Sequence, residues 1–370
     1  MPLTLVYPRI QFDFGAIALL PQELAILGIA HPLFITDRGV VQHGVFARVE
    51  RAMGGRNDLA VFDETPENPT VAGVERAAAF YHVRQCDGLV AVGGGSVIDT
   101  AKAVSVVATH EGAIADFFGR PEKILPKTAP LIAVPTTAGT GSEASRGAGI
   151  HRDAQSRGHG INSPFIVPRV AICDPELTYA LPPRLTAGTG MDALGHAVEN
   201  FFARGSNPVG EALALDAAAR AFAYVGRATS DGQDKEARWH MMMAALQAMM
   251  CQKGLGPVHA LANTLGDQGL HHGTMVSIAM PAVLDGYERR YPEKAKTLGE
   301  ALRVGSGTPA QAVAAMNERL GIPASIRKLG YKGGDLAEMA QDAHKSFFNI
   351  TAPYHPSVEE YRALLQKVLG

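Results

Sequence analysis

The sequence predicts a two-domain protein, with an α/β domain over residues 1–178 that contains a parallel, Rossmann-like dinucleotide-binding sheet and an all-helical domain over residues 179–370. Short β-rich runs alternate with helical runs up to about residue 178, which is typical of a parallel sheet covered by helices on both faces. Beyond that residue, strand-like runs nearly vanish and Ala-, Leu- and Met-rich helical periodicity dominates. With 370 residues and 46% hydrophobic content, the chain is long enough to fill two cores.

The α/β half contains short apolar runs that predict strands. They lie at residues 31–37, 59–64, 86–96 and 130–137. Helical runs occupy the intervals between them, at residues 45–53, 68–85 and 96–109. Pro69 suits the first turn of the helix that begins at residue 68. Ligands are expected at the carboxyl ends of the strands in such a sheet.

The second half shows apolar residues at helical spacing. Predicted helices include residues 207–225, 235–254 and 356–369. Ser357 and Glu360 form a capping-box pattern at the start of the last of them. No repeat or long charged linker separates the halves, so the two domains are expected to pack directly and to form a cleft at their boundary.

Charge and cysteine content narrow the class of protein. Lys and Arg number 34 against 36 Asp and Glu, with a net charge of -2 and no basic stripe, so the expected partner is a small molecule and not nucleic acid or a membrane surface. Cys86, Cys173 and Cys251 are far apart and lack CxxC spacing, which favours a reducing compartment. The sequence shows no signal peptide and no apolar stretch of membrane-spanning length, so we expect a cytoplasmic protein.

Glycine-rich turns follow two of the predicted strands. In LVAVGGGSVIDTAKAV, three glycines and Ser96 stand between a strand and a helix, where backbone N–H groups can approach an anion at the positive end of the helix dipole. This favours a phosphate cradle, although glycines also serve tight turns. The second turn, VPTTAGTGSEAS, adds hydroxyl groups at the end of another strand of the same sheet. Two such turns suit a pyrophosphate better than a single phosphate.

Asp37 ends the first predicted strand, in LFITDRG. A carboxylate there can accept hydrogen bonds from the ribose diol of an adenosine and repel a 2'-phosphate, which predicts NAD(H) over NADP(H). The alternative interpretation, a turn or N-cap residue, is equally consistent with the sequence.

Asp192 and His196 lie four residues apart in GTGMDALGHAVEN, so one helix face presents both to the same ion. His259 and His272 follow in GPVHALANTLGDQGLHHGT and can approach from a second element. One carboxylate and three imidazoles suit a divalent metal with an open position. Each residue taken singly also fits a satisfied core or capping role.

The segments GGGSVIDTAKA, PTTAGTGSEAS, TAGTGMDALGHAVENFFA and VHALANTLG with LHHGT together closely resemble the iron-containing (group III) alcohol dehydrogenase family, over nearly the whole chain. The resemblance implies the dehydroquinate synthase-like fold of that family, with metal and nicotinamide meeting in the cleft, Fe(II) as the metal, and a homodimer or larger oligomer. It places metal ligands at Asp192, His196, His259 and His272. It places cofactor contacts at Asp37, Asn68, Gly94, Gly95, Ser96, Asp99, Thr136, Thr137 and Thr140.

Two positions depart from the family pattern. Asn263 stands where the family often has a histidine that is implicated in proton movement, and Asn cannot relay a proton by titrating. The relay is then expected to run through ribose hydroxyls and water or through His271, which also fits a supporting or surface role. Gly158 stands near the place of a lysine that is common in the family, which alters the expected cofactor geometry.

The resemblance implies hydride transfer between NAD(H) and a small alcohol or aldehyde, or a hydroxy acid or oxo acid, with the metal as Lewis acid. Imidazole and carboxylate ligands do not choose strongly between Fe(II) and Zn(II), so iron follows from the family and Zn(II) is the alternative. Glycerol dehydrogenases, maleylacetate reductases and dehydroquinate synthase-like lyases share the framework. A catalytically silent NAD-binding homologue is the alternative from outside the enzymes.

Overall fold

The computed structural model describes residues 4–56, 58–153, 156 and 158–370. The chain forms two compact units, which consist of Met1–Thr137 with Gly141–Leu181 and of Ala138–Thr140 with Pro182–Gly370. Within the described ranges, no helix is both long and apolar enough to cross a membrane.

Among the described residues, the first unit contains β-strands and five α-helices. The strands are β1 (Arg9–Phe12), β2 (Pro32–Ile35), β3 (Ala60–Phe62), β4 (Gly88–Gly93), β5 (Leu131–Pro135), β6 (Gly147–His151), β7 (Gly158–Asn162) and β8 (Val170–Cys173). The helices are α1 (Leu20–Leu27), α2 (Arg38–Gln42), α3 (Phe46–Ala52), α4 (Val71–Val83) and α5 (Gly95–Val107). Six strands form one sheet in the order β1-β8-β5-β4-β2-β3, and all its pairs are parallel. The predicted parallel sheet is confirmed.

Both faces of this sheet are buried, because alternate residues of a strand point to opposite sides. In β4, Leu89 and Ala91 belong to an apolar cluster that includes side chains of α4 and α5. Val90 and Val92 belong to a second cluster, which includes side chains of α1 and α3. Burial on both faces explains why these strands are continuous apolar runs in the sequence.

The strand order reverses between β2 and β4. The chain places β3 outside β2 and then returns through α4 to add β4 on the other side. The segments that follow β2 and β4 therefore leave from neighbouring carboxyl ends at a topological switch point, where open α/β sheets bind their ligands.

Helix α4 begins later than predicted. Its N-cap is Thr70, whose side-chain oxygen accepts a hydrogen bond from the backbone N–H of Gly73 at 3.1 Å. Pro69 therefore precedes the N-cap instead of lying in the first helical turn, because the threonine hydroxyl satisfies the helix N-terminus one residue downstream.

An antiparallel hairpin of β6 and β7 follows the second glycine turn and was not predicted. Its register pairs Gly147 with Asn162 and His151 with Gly158. Glycine-rich strands carry a weak β signal, which explains why the sequence does not reveal it. The backbone N–H of Gly149 donates to the Asp99 carboxylate at 2.8 Å, so α5 anchors the hairpin.

The described residues of the second unit form helices joined by loops, without a β-strand, as predicted. Its α-helices are α6 (Pro183–Phe202), α7 (Pro208–Ser230), α8 (Lys235–Met250), α9 (Pro257–Thr264), α10 (His272–Arg290), α11 (Pro292–Leu302), α12 (Pro309–Arg319), α13 (Leu336–Lys345) and α14 (Val358–Leu369). Every residue of α6 from Met191 to Phe202 is buried, which is typical of a helix surrounded by others. The capping box of Ser357 and Glu360 is confirmed, with reciprocal hydrogen bonds of 3.2 and 2.8 Å.

Candidate metal centre and cofactor turn

Helix α6 presents Asp192 and His196 on one buried face. The spacing of four places both side chains on the same side of the helix, and Asp192 Oδ2 lies 3.8 Å from His196 Nδ1. The two residues are 2% and 6% exposed. The carbonyl oxygen of Gly139, which belongs to the same unit, lies 3.3 Å from His196 Nδ1. The pair is therefore held in the helical unit without solvent around it.

His259 near the start of α9 and His272 at the start of α10 complete the predicted group. His259 Nε2 lies 3.6 Å from Asp192 Oδ1, and His272 Nε2 lies 3.9 Å from the same oxygen. The ligand atoms of Asp192, His196 and His259 all lie within 4.8 Å of one another. The fold thus brings three of the predicted metal ligands into one buried group, and His272, whose side chain is 47% exposed, lies beside that group at the shared carboxylate.

Two buried atoms of this cluster have no hydrogen-bond partner among the described residues. They are Asp192 Oδ1 and His259 Nε2, whose separation of 3.6 Å is too long for a hydrogen bond. Leaving such a group unpaired costs about 1–3 kcal/mol. Carboxylate oxygen and imidazole nitrogen are also donors that Fe(II) and Zn(II) accept. A divalent cation held by these residues would satisfy both atoms, so the residues present fit the metal ion that the resemblance implies.

Glu199 lies one turn beyond His196 on α6 and was not identified from the sequence. Its Oε2 accepts a hydrogen bond from His259 Nδ1 at 2.7 Å, so the other ring nitrogen of His259 is the one that faces Asp192. The sequence indicates the role of Glu199 only by spacing, since Asp192, His196 and Glu199 occupy positions i, i+4 and i+7 of one helix face.

Burial and charge act against each other in this cluster. Burial raises the pKa of Asp192, but the attraction of His196 and the two other nearby histidines outweighs burial and holds that pKa below its usual range. Burial lowers the pKa of His259, and the carboxylates of Asp192 and Glu199 overcome this and raise the pKa to about 9. Burial lowers the pKa of His196, with a partial offset from Asp192. The Asp192 carboxylate is therefore ionised at neutral pH, as a metal ligand must be.

The two residues considered for proton transfer have different surroundings. His271 is the N-cap of α10, and its Nδ1 accepts a hydrogen bond from the backbone N–H of Thr274 at 3.3 Å. A Cβ at Gly188 would lie 2.8 Å from the His271 ring, so glycine is needed where α6 meets this ring. Asn263 lies half-buried on α9, one turn after His259.

Helix α5 begins at the first glycine turn without a side-chain cap. Gly94 is its N-cap residue and Gly95 its first residue, and no side-chain cap hydrogen bond is present. The Ser96 hydroxyl donates to the carbonyl of Glu67, in the loop that precedes α4. A Cβ at Gly94 would lie 3.3 Å from Thr137, so the second turn lies directly against the first. The first N–H groups of this 13-residue helix, which no side chain of the described residues caps, form a position suited to a phosphate.

The remaining residues predicted to contact the cofactor follow β2, β3 and β5 at the same edge of the sheet. Asp37 is the N-cap of α2, with a hydrogen bond of 2.9 Å from the first turn of that helix to its Oδ1. Asn68 lies half-buried between β3 and α4. Thr136 and Thr137 directly follow β5, whereas Thr140 belongs to the second compact unit. The N-cap interpretation of Asp37 therefore holds, and the residue also lies at the switch point.

Asp99 and Lys102 of α5 hold the backbone that follows the second turn. Asp99 accepts hydrogen bonds from the Ser142 hydroxyl and from the Gly149 N–H. Lys102, which is 0% exposed, donates to Ser142 Oγ at 2.9 Å and to the carbonyl of Gly147 at 2.8 Å. Lys102 was not identified from the sequence, where its spacing of three from Asp99 was the only signal. Both charged side chains support the turn from within the protein.

Burial dominates the electrostatics beneath this turn. It lowers the pKa of Lys102 to about 8, against the opposing charges of Asp99 and Glu143. It raises the pKa of Glu143, which is 2% exposed, to about 7, against a hydrogen bond to the backbone and the charge of Lys102. The charged forms of Lys102 and Glu143 therefore lower the free energy of unfolding.

Both halves of the chain match known sequence families. Residues 8–175 match the family described as iron-containing alcohol dehydrogenase. Residues 186–369 match the C-terminal domain of the Fe-containing alcohol dehydrogenase family. The two matches cover the sheet and the metal cluster.

Whole-chain relatives agree with these matches. A 4-hydroxybutyrate dehydrogenase of Cupriavidus necator is 46% identical over 374 aligned positions, which cover 97% of this chain and 97% of that protein. The crystal structure of a 1,3-propanediol oxidoreductase matches with a TM-score of 0.93 and 30% identity, over 100% of both chains. The sulfoacetaldehyde reductase of Bifidobacterium kashiwanohense, solved in complex with NAD+, matches with a TM-score of 0.86 and 26% identity, over 100% of this chain and 99% of that one. The chain therefore belongs to the iron-containing alcohol dehydrogenase family and is an oxidoreductase of the alcohol dehydrogenase type.

Proposed function

We propose that this protein transfers a hydride between NAD(H) and a small alcohol or its aldehyde, assisted by a divalent metal at Asp192, His196, His259 and His272. The observation that carries the proposal is a pair of buried atoms 3.6 Å apart, Asp192 Oδ1 and His259 Nε2, for which the described ranges of the chain supply no hydrogen-bond partner. When bound there, a divalent ion supplies Lewis-acid activation of an alcohol or carbonyl oxygen, and NAD supplies the hydride acceptor. Iron(II) is the proposed ion because of the family, and Zn(II) suits the same donors.

The substrate pair that we favour is a short hydroxy acid with a terminal hydroxyl group and the corresponding oxo acid. The relative named for 4-hydroxybutyrate is 46% identical to this chain, whereas the structure named for 1,3-propanediol is 30% identical. Both names describe a primary hydroxyl group at the end of a short carbon chain. That shared group is the one that the metal cluster is proposed to receive.

The cofactor residues have separable roles in this proposal. Backbone N–H groups of Gly95 and Ser96, at the uncapped start of α5, receive the pyrophosphate. Asp37 accepts hydrogen bonds from the ribose diol and disfavours a 2'-phosphate. Asp99 supports the turn by holding Gly149, since a carboxylate accepts hydrogen bonds and cannot donate one to a phosphate.

Further polar groups, which follow β3 and β5, are proposed to supply hydrogen bonds to the same cofactor. They are Asn68, Thr136, Thr137 and Thr140.

Proton transfer is proposed to run through water and the ribose hydroxyls of the cofactor. Asn263 orients a hydroxyl group or a water with its amide but does not titrate. His271 is the alternative carrier. Its Nδ1 accepts a hydrogen bond from Thr274, so its Nε2 bears the proton of the neutral ring.

The test measures NADH absorbance after NAD+, a metal ion and one candidate substrate are added to the metal-free protein. The metal ion is Fe(II) or Zn(II), and the substrates are 4-hydroxybutyrate, 1,3-propanediol, glycerol and short primary alcohols. NADH formation that a chelator abolishes and added metal restores supports the proposal. Stoichiometric binding of metal and NADH without turnover on any substrate contradicts it and favours the silent homologue.

A further inference from the structure

Glu199 is buried to 1% exposure and directs its carboxylate at the start of α9. Its Oε1 accepts a hydrogen bond from the backbone N–H of Val258 at 2.7 Å. Its Oε2 accepts hydrogen bonds from the backbone N–H of Gly256 at 2.8 Å and from His259 Nδ1 at 2.7 Å. Its Oε2 also accepts a weaker hydrogen bond from the backbone N–H of His259 at 3.3 Å, so a single carboxylate from α6 binds four donors of one short segment.

Helix α9 has no side-chain cap of its own. Its N-cap is Gly256 and its first residue is Pro257, so the segment supplies no polar side chain for its first N–H groups. A Cβ at Gly256 would lie 3.0 Å from Glu199 Oε1, which shows how closely the carboxylate approaches. Glu199 replaces the missing cap and adds a negative charge at the positive end of the helix.

The same carboxylate determines which nitrogen of His259 carries hydrogen. A carboxylate only accepts hydrogen bonds, so the proton of the neutral ring lies on Nδ1 and the lone pair lies on Nε2. In this neutral form, which is the one that binds a metal, the lone pair faces Asp192 Oδ1, and neither atom has a hydrogen-bond partner in the described part of the chain. Hydrogen bonding to a carboxylate also makes an imidazole a stronger metal ligand.

We propose that Glu199 is a positioning residue for the metal centre, holding His259 in the tautomer and orientation that direct Nε2 to the ion. The proposal rests on the proposed role of His259 as a metal ligand. It extends that role, because it makes the strength of metal binding depend on a residue that does not touch the metal.

The experiment compares Zn(II) affinity in the native protein, Glu199→Gln and the control Asn200→Ala, by competition with a chromophoric chelator. In Glu199→Gln, the amide carries an N–H donor where the carboxylate had an acceptor oxygen. In either orientation of the amide, this donor faces another donor, which is His259 Nδ1 or a backbone N–H. Asn200 anchors the adjacent loop through the N–H groups of Lys253 and Gly254 at 3.1 and 3.0 Å, without contacting the His259 ring. Asn200→Ala therefore removes this loop anchoring and the hydrogen bond of 3.0 Å from Asn200 Nδ2 to the backbone carbonyl of His196, and it leaves the hydrogen bond between Glu199 and the His259 ring in place.

We expect Glu199→Gln to weaken Zn(II) binding roughly 10–100-fold, with Asn200→Ala within about threefold of the native protein. Thermal stability of the metal-free proteins should fall in both variants, and the visible spectrum of bound Co(II) should change only in Glu199→Gln. Equal Zn(II) affinity in Glu199→Gln and native protein overturns the inference, as does an equal loss in both variants.

The native protein and Glu199→Asp provide two further controls for this experiment. If the native protein itself fails to bind Zn(II), the proposed function fails, and this result is distinct from a failure confined to Glu199. If Glu199→Gln is insoluble, Glu199→Asp takes its place, since it keeps the charge but shortens the side chain. Its binding is then expected to weaken by at least about threefold, and unchanged binding overturns the inference.

Discussion

The metal cluster and the first glycine turn are proposed to bind their ligands through different parts of the chain. In the metal cluster, side chains from α6, α9 and α10 supply every predicted ligand atom. At the glycine turn, backbone N–H groups at the start of α5 form the proposed binding surface, while Asp99 and Lys102 face the protein. One site is made of side chains and the other of backbone.

This difference predicts how substitutions affect binding and folding. A ligand side chain of the metal cluster can be removed while the backbone of its helix stays in place. The backbone that follows the second turn, which packs against the first, is held by the buried charges of Asp99 and Lys102, so we expect a change to those charges to affect binding and stability together. Four substitutions test the contrast, from the largest expected effect to the smallest.

His259→Ala removes the Nε2 ligand atom, and we expect kcat/KM for alcohol oxidation to fall at least about 1000-fold, because a Lewis acid contributes several kcal/mol. The dissociation constant for NADH, from fluorescence titration, should stay within about twofold, since the glycine turn is untouched. Normal turnover in a variant shown to contain no metal contradicts the ligand role.

Lys102→Met leaves Asp99 without its buried cation and releases Ser142 and Gly147. We expect the free energy of unfolding in urea to fall by about 3 kcal/mol. The NADH dissociation constant should rise roughly tenfold, because the segment behind the second turn loses its anchor. The exposed Lys127 provides the control, and Lys127→Met should change stability by less than about 0.5 kcal/mol. Unchanged NADH affinity in Lys102→Met would break the proposed link between folding and binding.

Glu143→Gln removes the buried acid beneath the second turn and should change how stability depends on pH. Burial raises the pKa of Glu143 from 4.5 to about 7, so the folded state favours the protonated form. Relative to Glu143→Gln, the native protein should therefore lose up to about 3 kcal/mol of unfolding free energy as pH rises from 4.5 to 7. Urea denaturation at several pH values measures the difference. A difference that stays constant across this range would show that Glu143 titrates normally.

Asp37→Gly should raise the ratio of kcat/KM with NADP+ to that with NAD+ about tenfold, because the carboxylate that repels a 2'-phosphate is gone. Stability should change by only a few tenths of a kcal/mol, since glycine is an acceptable N-cap. A ratio equal to that of the native protein would mean that Asp37 acts only as the cap of α2.

Features that depend on local spacing were predictable from the sequence. The four-residue spacing of Asp192 and His196, the capping box of Ser357 and Glu360, and the strand–glycine–helix pattern around Ser96 all require only neighbouring residues. The strands β1 and β8 were not predicted, because both are short and pair with each other across a long separation in sequence. The β6–β7 hairpin was not predicted, because its strands are rich in glycine and carry a weak β signal.

The sequence by itself determined the order of the two structural classes and the chemical types of the metal ligands, because periodicity and motif spacing are local properties. Only the tertiary structure decided which atoms meet. Glu199 and His259 lie 60 residues apart, and Asp99 and Gly149 lie 50 apart. Contacts over such separations depend on how α6 packs against α9 and how α5 packs against the hairpin, and the free energy of that packing comes from many buried side chains together.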